Sequence, residues 1–329
     1  MNFTILFVSS PLDPGAADEL YADEYRSARE AGFDVGLIHY EELLHGGSPA
    51  RAVKRIRERS EPTAALYRGW MLRPGQYARL YKALLERNLR LINAPEQYRH
   101  AHYLPESYSR IEGDTPRSVW IPLRYPPDSE EAERLAVEAV RVFGGGPIIV
   151  KDYVKSRKHE WEEACYVPDA SDSERVKRTV RRFLELQGDE LNEGLVFRAF
   201  EKLEYVSRHP QSGMPLSREV RVFVLDGEPA FVSNYWEAGG DEDFDKALDG
   251  FRETMKGIDS RFYTMDFAKK ENGPWIVLEL GDGQTAGLPD ETEPPQFYAA
   301  LRKALERSDN AHPSDDPGEQ QRRFEDERR

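Results

Sequence analysis

Asp266 and Glu279 lie on either side of Asn272-Gly273, a dipeptide that joins two β-prone runs and is a strong short-range hairpin signal. With a two-residue loop, Glu271 pairs with Pro274 and Asp266 stands directly opposite Glu279. Two carboxylates facing each other at about 5 Å repel, so a hairpin keeps them only with a compensating cation. A hard divalent ion supplies one: Mg²⁺ takes one or two carboxylates plus substrate phosphates, and Asp282, just past the strand, offers a third oxygen donor. The alternative is a solvated face. Trp275 and Val277 share the face of Glu279, and Phe262 that of Asp266, which argues against it.

Two basic segments lie upstream. Pro147-Ile-Ile-Val-Lys151-Asp-Tyr-Val-Lys155-Ser-Arg-Lys158 starts as a buried strand and then turns basic. In an extended chain Lys151, Tyr153 and Lys155 share one face, suited to phosphates, although the spacing of 151, 155 and 158 equally fits a solvated helical face. Ser217 to Leu225 alternates cleanly into Asp226-Gly227, a second tight hairpin. A two-residue loop there places Glu219, Arg221 and Asn234 on one face. Arg221 could clamp phosphates with its fork, or merely pair with Glu219.

The elements that must position these groups change character along the chain. Short apolar runs at Phe3 to Val8, Val35 to Ile38, Ala64 to Tyr67 and Leu89 to Ile92 alternate with helical patterns, one from about Pro74 to Asn88; this predicts a parallel α/β sheet. No G-x-G-x-x-G follows the first strand. Leu135, Ala139, Val140 and Phe143 mark a helix stopped by Gly144-Gly145-Gly146, which lacks the Lys-Ser/Thr of a phosphate loop. Beyond it the pattern is α+β. It includes a helix capped reciprocally by Ser171 and Glu174 that buries Val176, Val180 and Phe183. Residues 294–307 read as a last amphipathic helix, and 308–329 as a disordered charged tail.

Composition narrows the class. The 329 residues carry 46 basic and 60 acidic side chains, a formal charge of −14, so broad nucleic-acid binding is not expected. One cysteine, Cys165, fits a reducing compartment, and the N-terminal apolar run is too short for a signal or a span, so a cytoplasmic location is expected. His100, His102 and His159 lack ligand spacing, Cys165 lacks a recognisable histidine partner, and there is no G-x-S-x-G.

A phosphate-facing lysine, an arginine in one hairpin and paired acids on a second, in that order, resemble the ATP-grasp superfamily. Val150-Lys-Asp-Tyr-Val-Lys-Ser156 and Glu279-Leu-Gly-Asp-Gly-Gln284 are similar to an uncharacterised bacterial and phage branch. The resemblance implies a Rossmann-like pre-ATP-grasp domain at 1–104, with Leu91-Ile-Asn-Ala-Pro-Glu96 at the junction, then a two-subdomain ATP-grasp fold at 105–307. It implies ATP and Mg²⁺ as cofactors. Lys151 would contact the α and β phosphates, with Lys155 or Lys158 supplementary, and Arg221 would hold the γ phosphate. Arg198, Phe200 and Glu201 would belong to the strand and hinge that hold adenine, Glu219 and Asn234 would flank Arg221, and Asp266, Glu279 and Asp282 would bind metal. Arg68 would face the second substrate, a small molecule or peptide. Two departures stand out: Gly281 occupies the usual metal-ligand asparagine position, and no lysine lies between Leu104 and Gly146. The implied reaction is activation of a carboxylate as an acylphosphate for attack by an amine or other nucleophile. The alternatives are a small-molecule kinase and a nucleotide-binding regulator without turnover.

Overall fold

The apolar runs become strands. The computed structural model describes residues 3–44, 46–124, 126–208, 215–234, 242–290, 292–311 and 327. Its strands are Phe3–Val8 (β1), Asp34–Ile38 (β2), Thr63–Arg68 (β3), Leu89–Leu91 (β4), Ser118–Pro122 (β5), Ile148–Asp152 (β6), Tyr166–Val167 (β7), Gly194–Ala199 (β8), Tyr205–Arg208 (β9), Pro215–Ser217 (β10), Glu219–Leu225 (β11), Glu228–Asn234 (β12), Phe262–Lys269 (β13) and Trp275–Asp282 (β14).

The chain divides into two compact units: residues 1–101, 219–266 and 280–329 form one, and residues 102–218 and 267–279 the other. The first unit contains the parallel sheet β2-β1-β3-β4, as the α/β alternation predicts. β1 is buried along its whole length, because a parallel sheet is covered on both faces. The helix Ala22–Glu30 is terminated by Gly32 at φ +82°, and the helix starting at Pro74 ends at Leu85, three residues short of expectation, before Asn88 at φ +59°. The last helix, Pro294–Ala311, continues past the expected end at 307; residues 312–326, 328 and 329 of the expected tail lie outside the described residues.

The second unit is built on the antiparallel sheet β5-β8-β6-β7. Helices Ser129–Ala139 and Ser173–Gln187 contribute Ala132, Ala136, Val176, Val180 and Phe183 to a core shared with Val150 and Phe197. Asp172, rather than Ser171, caps the second helix, accepting the Arg175 N–H at 2.9 Å. Gly144 at φ +59° follows the short turn after the first helix, so the triple glycine is a helix stop.

Each hairpin departs from the expected register next to a proline, the first beyond its turn and the second at it. At the first, Asp226 and Gly227 take positive φ as expected, and Leu225 pairs with Glu228, but a bulge between Phe223 and Val224 shifts the register beside Pro229. Proline has no N–H for the ladder, and a bulge absorbs the loss on a strand next to one neighbour only, as β12 is. At the second, the Lys270 N–H donates to the Pro274 carbonyl at 3.1 Å and the Gly273 N–H to the Lys270 carbonyl at 3.1 Å. Three residues therefore turn the chain instead of two. A two-residue loop would need an N–H on Pro274 to reach Glu271, and there is none. Farther along, the Gly283 N–H donates to the Phe262 carbonyl at 3.2 Å and Thr264 Oγ1 to the Gly281 carbonyl at 3.4 Å.

Candidate functional site

In the second unit, a carboxylate lies among cations. Lys151 emerges near the end of β6, 8% exposed, and its Nζ is 2.6 Å from Glu279 Oε1. The Glu279 side chain remains 44% exposed. Desolvation raises its pKa, but Lys151, by charge and hydrogen bond, with Lys158 and Arg198, outweighs that and holds it below the usual range. Arg198, on β8, is 6% exposed and donates from Nη2 to Thr115 Oγ1 at 2.7 Å and to the Val277 carbonyl at 3.3 Å. Burial pushes its pKa down to about 10. His102 is buried and its pKa is lowered to about 4, first by desolvation and then by Lys155 and Lys151 acting against Glu279. A neutral histidine adds no charge to the lysines and the arginine around Glu279.

Lys155 does not share a strand face with Lys151. β6 ends at Asp152, whose carboxylate accepts hydrogen bonds from the backbone of Val154 at 2.7 Å and of Lys155, from Gln187 at 3.1 Å, and from the Asn192 backbone and side chain at 3.1 and 2.9 Å. The Asp152 N–H in turn donates to the Lys155 carbonyl at 2.9 Å. The chain reverses, because an Asp side chain offers its neighbours' N–H groups an alternative to continued strand. Lys158 sits on a short 3₁₀ turn. Phe200 packs against Trp161 and Tyr166 with ring centroids 5.9 and 5.2 Å away, and Glu201 pairs with Lys270 at 2.8 Å.

In the first unit, Arg221 and Asp266 form a two-pronged pair, Nε to Oδ1 at 2.8 Å and Nη2 to Oδ2 at 2.7 Å. Arg221 Nη1 also donates to the Gly287 carbonyl at 2.8 Å. The alternative partner considered for Arg221, Glu219, is not needed to account for its placement. The bulge pairs Arg221 with Ser233 and Val220 with Asn234, so Asn234 takes the face opposite Arg221.

Two expected site residues are committed elsewhere. Arg68 is fully buried and does not face a substrate: it grips Glu24 at 2.8–3.0 Å and donates to the carbonyls of Gly283 at 3.0 Å, Gln284 at 3.4 Å and Ala286 at 2.7 Å. Asp282, expected as a third metal donor, is 1% exposed and accepts from Asn93 Nδ2 at 2.6 Å and from the Gln284 N–H at 3.0 Å. Three residues from Glu279 on one strand, it belongs to the opposite face. Among the described residues no group of three or more His, Cys, Asp or Glu side chains is arranged to hold a metal.

Burial raises the Asp282 pKa to about 7, against hydrogen bonds from Asn93 and Gln284 that lower it. Unfolded, it titrates near 3.8, so between about pH 4 and 7 the folded chain holds a proton the unfolded chain has lost. That contribution is fully present below this window and disappears as pH rises through it. The stability difference between wild type and Asp282→Asn, from urea unfolding at pH 4 to 8, is expected to change across the window; a difference curve flat over that range would rule this out.

Glu24, Thr115 and Asp152 carry no site expectation from the sequence, and His102 only that of a histidine without ligand spacing. Asn93 had a signal, its place in the junction segment, and Asp152 had one, its place directly after the lysine; Glu24 had none.

Residues 142–301 match the model of an ATP-grasp domain, the third family of its clade. No curated protein matches the chain in sequence. Among solved structures, D-cycloserine synthetase DcsG is 17% identical, with 92% of this chain and 99% of that chain covered and a TM-score of 0.53. A RimK domain ATP-grasp protein from Sphaerobacter thermophilus is 12% identical over 92% and 98%, TM-score 0.55. The ATP-grasp ligase PsnB, complexed with a phosphomimetic variant of its minimal precursor, Mg and ADP, is 16% identical over 93% and 99%, TM-score 0.52. The family match is to residues 142–301, and the likeness to these solved structures, which is one of fold, runs along nearly the whole chain.

Proposed function

We propose that the chain is a Mg²⁺-ATP-dependent ligase that phosphorylates a carboxylate and passes the acylphosphate to an amine or another nucleophile. The observation that carries this reading is that each proposed metal-binding acid is held by a proposed phosphate-binding cation, Glu279 by Lys151 and Asp266 by Arg221. In this reading Lys151 binds the α and β phosphates with Lys155 or Lys158 beside it, and Arg221 binds the γ phosphate next to Glu219. Phe200 and Glu201 lie on the adenine side. Asp266 and Glu279 bind Mg²⁺, which supplies charge neutralisation for the transferring phosphoryl group. The chain's own part is placement and compensation of charge, with no side chain acting as nucleophile.

PsnB binds Mg, ADP and a precursor, which supports a nucleotide–metal site and a peptide or small-molecule acceptor. We assign residues 1–104 to the pre-ATP-grasp domain, 105–307 to the ATP-grasp domain and a cytoplasmic setting to the protein. Among the described residues no helix is long and apolar enough to cross a membrane.

Calorimetric titration of ATP with and without Mg²⁺ tests the reading. Wild type is expected to bind in a metal-dependent way and Asp266→Asn/Glu279→Gln to lose that dependence; no binding by wild type would refute the site. An amine requirement for ADP release separates ligase from kinase.

A further inference from the structure

Arg198 is a buried cation without an anion. It is 6% exposed, and both its hydrogen bonds come from Nη2 and go to neutral oxygens, Thr115 Oγ1 and the Val277 carbonyl. Among the described residues it forms no ion pair, and neither Nε nor Nη1 has a hydrogen-bond partner. The carboxylate with the largest electrostatic effect on it, Glu279, is held by Lys151. Leaving a buried guanidinium uncompensated costs free energy, and a fold has an inexpensive remedy in an apolar side chain at that place. The rest of the contact set does not depend on it. Thr115 Oγ1 also donates to the Val277 carbonyl at 2.8 Å, so those two groups stay satisfied without the arginine.

We infer that Arg198 binds a phosphate oxyanion of the bound nucleotide, through Nε and Nη1, and is not part of an adenine hinge. The inference rests on the nucleotide reading above. A planar fork with two unused donors matches a phosphoryl group, whereas adenine presents no negative charge to a cation. Its position agrees: Arg198, Lys151 and Lys158 all act on Glu279, so the arginine sits with the phosphate-side lysines. Arg198 thus joins Lys151 as a second, delocalised cation, suited to charge that spreads over oxygens during transfer.

The test compares wild type with Arg198→Met and Arg198→Lys for binding of adenosine and ADP in excess Mg²⁺, and for thermal unfolding without ligand. Arg198→Met is expected to weaken ADP about 10- to 100-fold and leave adenosine unchanged. Its unfolding midpoint is expected to equal or exceed that of wild type, and Arg198→Lys to fall between the two in ADP affinity. ADP affinity unchanged in Arg198→Met, or an equal loss for adenosine, overturns the assignment; so does a lowered midpoint with unchanged affinity, which would mark a structural residue. Failure of the nucleotide reading is seen separately, as wild type that binds neither ligand.

Discussion

Lys151→Met is expected to reduce ATP turnover by about two orders of magnitude or more while the protein stays folded, as removal of a preorganised charge-stabilising donor does elsewhere. Lys151 is nearly buried at the end of a central strand, and its Nζ donates to Glu279 Oε1 at 2.6 Å. Its loss leaves Glu279 without that partner, but the Glu279 side chain is 44% exposed, so water compensates much of the deficit. Stability should therefore change little. Glu279→Gln should lower turnover to a similar extent, since the proposed metal site would lose a charged ligand. Steady-state ADP release beside a thermal melt checks both; turnover within about threefold of wild type in either variant would remove that residue from the site.

The second large effect concerns stability. Arg68→Ala leaves Glu24, 7% exposed, with the Tyr298 hydroxyl at 2.6 Å as its remaining strong partner, and strips three backbone carbonyls of a donor. Removing one member of a buried pair costs about 3–5 kcal/mol, a large part of the roughly 5–15 kcal/mol that holds a typical domain folded. Arg68→Lys should recover only part of this, because an ammonium cannot serve Glu24 and the carbonyls through one rigid fork. Arg68→Met/Glu24→Gln should be closer to wild type than Arg68→Ala, since no buried charge is stranded. Urea unfolding measures all three. An Arg68→Ala protein with a wild-type midpoint and weakened acceptor binding would return the arginine to the substrate side.

The difference between these two residues shows what the sequence reveals. Periodicity located the parallel strands, both hairpins and the core face of the helix Ser173–Gln187, because each depends on neighbours close in sequence. Lys151, Arg221, Asp266 and Glu279 stood out because charges in alternating strands require compensation, and the structure pairs Lys151 with Glu279 and Arg221 with Asp266. Arg68 was not, since Glu24 and the carbonyls at 283–286 that engage it lie 44 and more than 210 residues away. The two-residue loop expected at Asp226-Gly227 is present, whereas Pro274, which has no N–H to offer Glu271, rules out the one expected at Asn272-Gly273. Asp282 was misplaced by adjacency to Gly281: a strand has two faces, and an odd offset from Glu279 selects the other one.

The two acid–cation pairs have a thermodynamic consequence. Lys151 and Arg221 occupy the carboxylates, so if the acids bind metal as proposed, free Mg²⁺ would compete with a tethered counterion of the same sign. In the proposed site, phosphates that drew the cations away would vacate the acids for the metal, and metal on the acids would release the cations for phosphate. Each ligand should therefore raise the affinity of the other by one common factor, as reciprocity demands, and binding should approach an all-or-none exchange of partners. A protein with the proposed site would remain quiet in magnesium alone and respond to the assembled pair of ligands.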